Sequence, residues 1–234
     1  TEISFPDRVR VAKNAGFSGV GLRAENYWDA EIAGLSDRDM LDILLENGLR
    51  VTEVEYLSGW GGESTFEQQE KENTIFHMAE LFGVKHVNAG LLHYVEKERA
   101  IEGFQALCAR AAPLVVALEF LPYGGICTIE EASAFIEGAG CENAGLLLDC
   151  WHFARSGAGP GSLLKIDVSK IIALQLADVR QTPYLVSELR KESLHDRLPP
   201  GCGHGHNAAL LKRLRELGAM PEHVSVGMHV KKRA

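Results

Sequence analysis

The sequence predicts an α/β fold, a (β/α)8 TIM barrel whose first strand is short or missing in this chain. Three observations carry that expectation. Short, β-branched apolar runs recur at residues 19–22, 51–57, 84–89, 114–120, 144–148, 171–176 and 223–226. Most begin about 26 to 34 residues apart and each is followed by a helical pattern, the mark of βα units in a parallel sheet. No Gly-rich dinucleotide fingerprint follows the first run, because Gly16, Gly19 and Gly21 precede it or lie in it. A chain of 234 residues is close to the size typical of a barrel.

The elements follow in order. The chain starts at a helix, so a first barrel strand would be residues 1–4 or lie upstream. Ser4-Phe5-Pro6-Asp7 opens that helix as a capping-box-like start with Pro in the first turn. Val9, Ala12 and Ala15 then share one face, and Gly16 ends it. Ser36-Asp37-Arg38-Asp39 opens the next helix, with Met40, Ile43 and Leu44 as its apolar stripe and Gly48 as its stop. Residues 66–82, 97–111 and 128–138 behave alike, and 208–218 gives the last well-patterned helix, with Leu210, Leu211 and Leu214 facing inward. No linker or composition shift divides the chain, which reads as one domain over residues 1–234.

Composition narrows the function class. The chain is 46% hydrophobic and 24% charged, with no low-complexity run, which suits a soluble globular protein. No apolar stretch is long enough to span a membrane, and TEISFPDRVR has no signal-peptide character. A net charge of −8 argues against a nucleic-acid partner, since Lys231-Lys232-Arg233 is the one basic cluster and reads as a solvated tail. Five cysteines without a CxxC read as reduced thiols of a cytoplasmic protein. Homo-oligomerisation is compatible with all of this.

In a parallel barrel the site lies at the C-terminal strand ends. Those positions hold Arg23 and Glu25, Glu53 and Glu55, Asn88, Glu119, Asp149 with His152, Gln175 with Asp178, and Gly227 with His229. Hard oxygen donors with one or two nitrogens suit Mn2+, Mg2+ or, with more imidazole, Zn2+. Glu119 closes a buried run just before a Pro-Tyr-Gly-Gly turn, and its alternatives are an Arg partner or a helix cap. Asp149 follows three leucines, and His152 lies three positions on; the alternative is an Asp that caps the next helix beside an ordinary buried His. Glu55, Trp60, Asn88, His152 and Arg197 are the candidate substrate contacts. Trp60, with Tyr27, Trp28 and Tyr123, follows a strand end, and these aromatics either wall a sugar pocket or simply pack. The Gly-rich segment 197–207 is either a phosphate-binding loop, with Arg197 adding charge, or a lid without a ligand. His204 and His206 make a weak second metal candidate. His77 reads as packing, and Cys150 as a small core filler.

The motifs LEFLP, LLLDCWHF, ALQLADV and RLPPGCGHG, the last followed by a final helix, resemble the xylose-isomerase-like barrel superfamily. That group includes sugar (phosphate) isomerases and epimerases, inosose and dehydroshikimate dehydratases, and endonuclease IV. The resemblance runs from Phe5 to Val226. It implies that Glu119 and Asp149 are metal ligands and that His152, in DxxH, touches substrate. The next ligand position, usually His, is Gln175 here, whose amide oxygen still suits a hard cation. The last ligand, a Glu in the family, is replaced by Gly227. His229 or the Glu53 and Glu55 carboxylates then substitute, or the copy is impaired, or the C-terminus is not the natural one.

The expected function is a divalent-metal-dependent sugar or sugar-phosphate isomerase or epimerase. A metal (Mn2+, Mg2+ or Zn2+) on Glu119, Asp149 and Gln175 acidifies the α-carbon of a small polyhydroxylated carbonyl substrate, and an enediolate forms. Glu119 and His152 are the catalytic residues. Two rivals share the barrel: a dehydratase of a keto-inositol or shikimate-type acid, and a degenerate, non-catalytic barrel that binds a sugar or a partner subunit.

Overall fold

The computed structural model describes residues 3–227. Its elements are α1 (Phe5–Asn14), β1 (Gly19–Arg23), α2 (Ala24–Ile32), α3 (Asp37–Glu46), β2 (Arg50–Leu57), α4 (Phe66–Phe82), β3 (His86–Gly90), α5 (Lys97–Ala111), β4 (Val115–Glu119) and α6 (Ile129–Ala139). β5 (Ala144–Asp149), α7 (Cys150–Arg155), β6 (Ile171–Leu176), α8 (Leu189–His195), α9 (Asn207–Glu216) and β7 (Val224–Val226) complete the series. The seven strands pair in parallel in their chain order. The result is a TIM-type barrel, nearly closed, whose ladder among the described residues stays open between β7 and β1. The expected strand at residues 1–4 is absent where it is described: Ile3 and Ser4 are not strand, and Ser4 caps α1 by accepting Asp7 N–H at 3.3 Å. Thr1 and Glu2 lie outside the described residues, as do His229 and the basic cluster 231–233.

Local chemistry sets the helix starts. Thr65 and Gln68 exchange side-chain hydrogen bonds with each other's backbone N–H at 3.2 and 2.8 Å, and Ser36 and Asp39 do the same at 3.2 and 2.8 Å. α2 and α8 carry no readable apolar stripe, and α7 is only six residues long, which is why the sequence alone did not predict them.

Strand alternation decides what faces the barrel interior. On β4 and β5, Val116, Leu118, Leu146 and Leu148 point outward into a continuous layer with Phe104, Ile129, Val54 and Met78. Ala117, Leu147 and Ala173 point inward as a small separate plug. On the opposite side, Gly19, Gly21, Thr52, Glu53 and Ser225 line a cavity of about 670 Å3 that reaches the strand C-termini.

Candidate metal and proton-transfer site

Period-two alternation places Glu119, Asp149 and Gln175 on the interior face at the ends of β4, β5 and β6, with Asp149 and Gln175 as register neighbours. Asp149 has two roles. Its Oδ1 accepts His152 N–H at 2.9 Å and so caps α7, which turns His152 toward the same mouth. Its Oδ2 is bound by Arg197 Nη1 at 2.6 Å. The helix-capping alternative read from sequence is therefore present in the fold.

Ligand-capable atoms of Glu119, Asp149 and His152 lie within 4.8 Å of one another, and all three residues are buried. Among the described residues this is the one such His, Cys, Asp or Glu cluster; His204 and His206 are exposed and form none. His152 Nε2 stands 3.6 Å from Glu119 Oε1 and 3.1 Å from Arg197 Nη2. Burial, reinforced by Arg197 and opposed by Asp149, lowers its pKa to about 3, so the ring is neutral at pH 7. With Nε2 facing a donor, the network assigns the proton to Nδ1, which has no partner among the described residues. Burial, then the charge of Asp149, pushes Glu119 well above the usual carboxylate range, and Arg197 offsets this only in part. Burial would raise Asp149 too, but the Arg197 guanidinium and His152 bring it below its ordinary value.

Arg197 makes five donor contacts: Nε to Ser193 O, Nη1 to Asp149 Oδ2 and Gly227 O, and Nη2 to His152 Nε2 and Ser193 Oγ. Five is the number of N–H groups that a guanidinium has. Arg197, expected as a substrate contact, lines the cavity as a built-in counter-charge with five donor contacts made within the protein. α8 supplies Ser193, and a buried ion pair between Arg155 and Glu192 anchors that helix.

Asn88 and Trp60, also expected as substrate contacts, are engaged by neighbours within the protein. Asn88 is fully buried and braces two carboxylates from below: its Nδ2 lies 2.9 Å from Glu53 Oε2 and 3.2 Å from Glu55 Oε2. Trp60 turns away from the mouth and packs at centroid distances of 5.3 and 6.0 Å against Phe104 and Phe135. Glu55 lines the cavity as expected, and burial with the charge of Glu53 raises its pKa. Of the other aromatics, Tyr123 lines the cavity, whereas Tyr27 bonds Asp37 and His77, and Trp28 bonds Thr74. His77 thus sits in a polar network instead of the apolar packing expected. Cys150 is buried, as a filler should be.

Tyr56 was not anticipated. It follows Glu55 on β2, lines the cavity, and its buried hydroxyl lies where a Cβ on residue 90 would overlap it, so Gly90 is required there. Burial and the charge of Glu119 hold its proton on. A glycine opposite an aromatic on the neighbouring strand was the available signal.

The Gly-rich loop also differs from a phosphate nest. Asp178 accepts the N–H groups of Val179, Gly201, Gly203 and Gly205 at 2.9, 3.0, 3.1 and 2.6 Å. The chain's own carboxylate occupies the place an anion would take.

Residues 9–232 match a family model described as xylose isomerase-like TIM barrel. An inosose isomerase of Halalkalibacterium halodurans is 38% identical over 105 residues, which take in 44% of this chain and 36% of that protein. A xylose isomerase domain containing protein of Salmonella typhimurium LT2 superposes with a TM-score of 0.81 at 20% identity, covering 96% of this chain and 84% of that one. The IolI protein with a bound zinc atom superposes with a TM-score of 0.78 at 23% identity, covering 94% and 82%. Among the described residues no helix is long and apolar enough to cross a membrane.

Proposed function

Because the chain belongs to the xylose isomerase-like TIM barrel family, we propose that it is an isomerase or epimerase of a small, unphosphorylated, polyhydroxylated carbonyl compound of the keto-inositol type. The observation that carries this is the buried convergence of Glu119, Asp149 and His152 at the mouth of the cavity. Similarity to an inosose isomerase over 44% of the chain supports the substrate class. The self-filled Asp178 loop supports a substrate without phosphate.

The donor set fits a divalent cation. Two buried carboxylates face one permanent counter-charge, Arg197, and a third oxygen, Gln175 Oε1, borders the same space as Asp149 Oδ2. Glu119, Asp149 and Gln175 would hold the ion, with His152 Nε2 a further donor within reach. When bound, Mn2+, Mg2+ or Zn2+ would supply Lewis acidity toward the substrate's carbonyl and adjacent hydroxyl oxygens.

Glu119, a carboxylate made more basic by burial, would take the proton from the carbon next to the carbonyl. The C–H electron pair moves into the C–C bond and the carbonyl pair onto oxygen, giving an enediolate. His152, neutral, would steady a substrate oxygen through a hydrogen bond. Return of the proton to the former carbonyl carbon, with the hydroxyl proton of the adjacent carbon passing to the former carbonyl oxygen, completes isomerisation; return to the original carbon on the other face completes epimerisation. Tyr56 and Tyr123 line the space.

The test is exchange of the α-proton of a keto-inositol with solvent deuterium, followed by 1H NMR with Mn2+ present. Exchange that disappears in Glu119→Gln is the expected result. An absorbing enone product would mean a dehydratase instead. No exchange and no product with any keto-polyol would mean a non-catalytic barrel.

A further inference from the structure

β2 carries two inward carboxylates two residues apart, Glu53 and Glu55, which the proton-transfer chemistry above does not use. Gly21, the register neighbour of Glu53, leaves the room: a Cβ there would stand 3.0 Å from the Glu53 side chain. Two amides reach this pair from opposite sides. Asn88 Nδ2 lies 2.9 Å from Glu53 Oε2 and 3.2 Å from Glu55 Oε2. Gln175 Nε2 lies 3.0 and 3.3 Å from the same two oxygens. The four atoms alternate acceptor, donor, acceptor, donor, and each NH2 spends both of its hydrogens.

This arrangement fixes an orientation that the shape of an amide leaves open. A Gln side chain presents oxygen or nitrogen with equal ease, so its neighbours decide which end points where. With two carboxylates claiming Nε2, Oε1 must face the other way. It does: a Cβ on Gly227 would lie 3.0 Å from Gln175 Oε1, 3.3 Å from Asp149 Oδ2 and 3.4 Å from Arg197 Nη1, so both oxygens border one spot, with the guanidinium that binds Asp149 at its edge. A flipped Gln175 would instead turn two N–H groups toward that spot, where they would repel a cation.

We propose that Glu53 and Glu55 are positioning residues, a carboxylate clamp that holds Gln175 with its oxygen turned toward the cation site beside Asp149. The inference rests on the cation reading of the preceding subsection. It explains how an amide serves at a corner where rotation by half a turn would abolish the ligand, and why two carboxylates, one buried and one half-buried, persist on one strand face. Outer partners of this kind typically change metal affinity about 10 to 100-fold.

The test is the affinity of the full chain for Mn2+ alone, measured by calorimetry and by the loss of free-ion paramagnetic resonance. Gln175→Glu adds charge, which taken by itself would tighten binding. Under the clamp it thrusts a third carboxylate against two with no donor between them, and binding should weaken about tenfold or more. Adding Glu53→Gln and Glu55→Gln supplies new donors and should restore affinity to the wild-type level or above. Tighter binding by Gln175→Glu alone, or no rescue in the triple variant, would overturn the clamp. Should Gln175→Glu not fold, Gln175→Met keeps the shape without the oxygen, and unchanged Mn2+ affinity in that variant overturns the clamp equally. A wild-type chain that takes up no Mn2+ would remove the cation reading and the clamp with it. A wild-type chain that binds, with variants that bind alike, would remove the clamp alone.

Discussion

Arg197 Nη1 lies 2.6 Å from Asp149 Oδ2, and the two side chains are 9% and 0% exposed. Burying two charges is costly, and the pair is supported by further hydrogen bonds: all five Arg197 donors are engaged, and Asp149 also accepts His152 N–H. Removing one partner leaves the other buried and unpaired. Arg197→Met should therefore lose about 3 to 5 kcal/mol in urea denaturation. Arg197→Lys should recover little of it, because a single ammonium cannot reproduce five donors in a planar fork. A loss of less than 1 kcal/mol in Arg197→Met would mean that the pair is hydrated and its geometry unimportant.

Glu119 has the opposite balance. It is buried and pushed toward its neutral form, with Asp149 beside it and Arg197 committed elsewhere. Glu119→Gln removes that strain while preserving shape, so the metal-free variant should be at least as stable as wild type. Proton transfer should fall by roughly 10^2 to 10^4, the range of a lost general base, with larger losses if the residue also holds the ion. Thermal melting in chelator and α-proton exchange with Mn2+ check the two halves separately. A stable variant with wild-type exchange would exclude Glu119 as the base.

Much of this was legible beforehand, for definable reasons. Strands such as Val115–Glu119 and Ala144–Asp149 announce themselves because a parallel sheet buried on both faces needs unbroken β-branched and leucine runs. A carboxylate that ends such a run has nowhere to go but the rim, which is why Glu119, Asp149 and Gln175 could be named together. Trp60 stayed open between a sugar wall and simple packing because an aromatic just past a strand end says nothing of which way its ring will turn. Phe104 and Phe135, which settle it, come from α5 and α6. Arg197 likewise looked free in sequence, and only the placement of α8 and Gly227 reveals that its donors are spent. The Asp178 nest was invisible because its four N–H donors are backbone groups scattered over a loop.

His86 gives a pH prediction away from the candidate site. It opens β3, its Nε2 is buried without a partner among the described residues, and burial, with a smaller contribution from His223, lowers its pKa from 6.5 to about 4. A depressed pKa favours the neutral ring in the folded state, so the unfolded chain binds the proton first. The associated stability is present above pH 6.5 and is lost as pH falls from there toward 4. The whole difference amounts to roughly 3 kcal/mol. Urea melts from pH 7.5 to 4 should show wild type losing that much more than His86→Gln. Parallel curves for the two proteins would place His86 in contact with water.

Asp178 makes the absence of phosphate recognition testable. Its carboxylate holds Val179, Gly201, Gly203 and Gly205 through four backbone donors, and it is 2% exposed. Each bond to a charged acceptor is typically worth about 1.5 to 3 kcal/mol net, but a loop can rehydrate part of what it loses. Asp178→Ala should thus cost about 3 kcal/mol or more and open residues 198–206 to proteases. The freed N–H groups would then form a vacant anion nest of the kind that binds phosphate. Millimolar phosphate should consequently raise the melting temperature of Asp178→Ala and leave wild type unmoved. If phosphate stabilises wild type to the same degree, an anion site exists that Asp178 does not fill. A phosphorylated substrate would then have to replace the free keto-polyol.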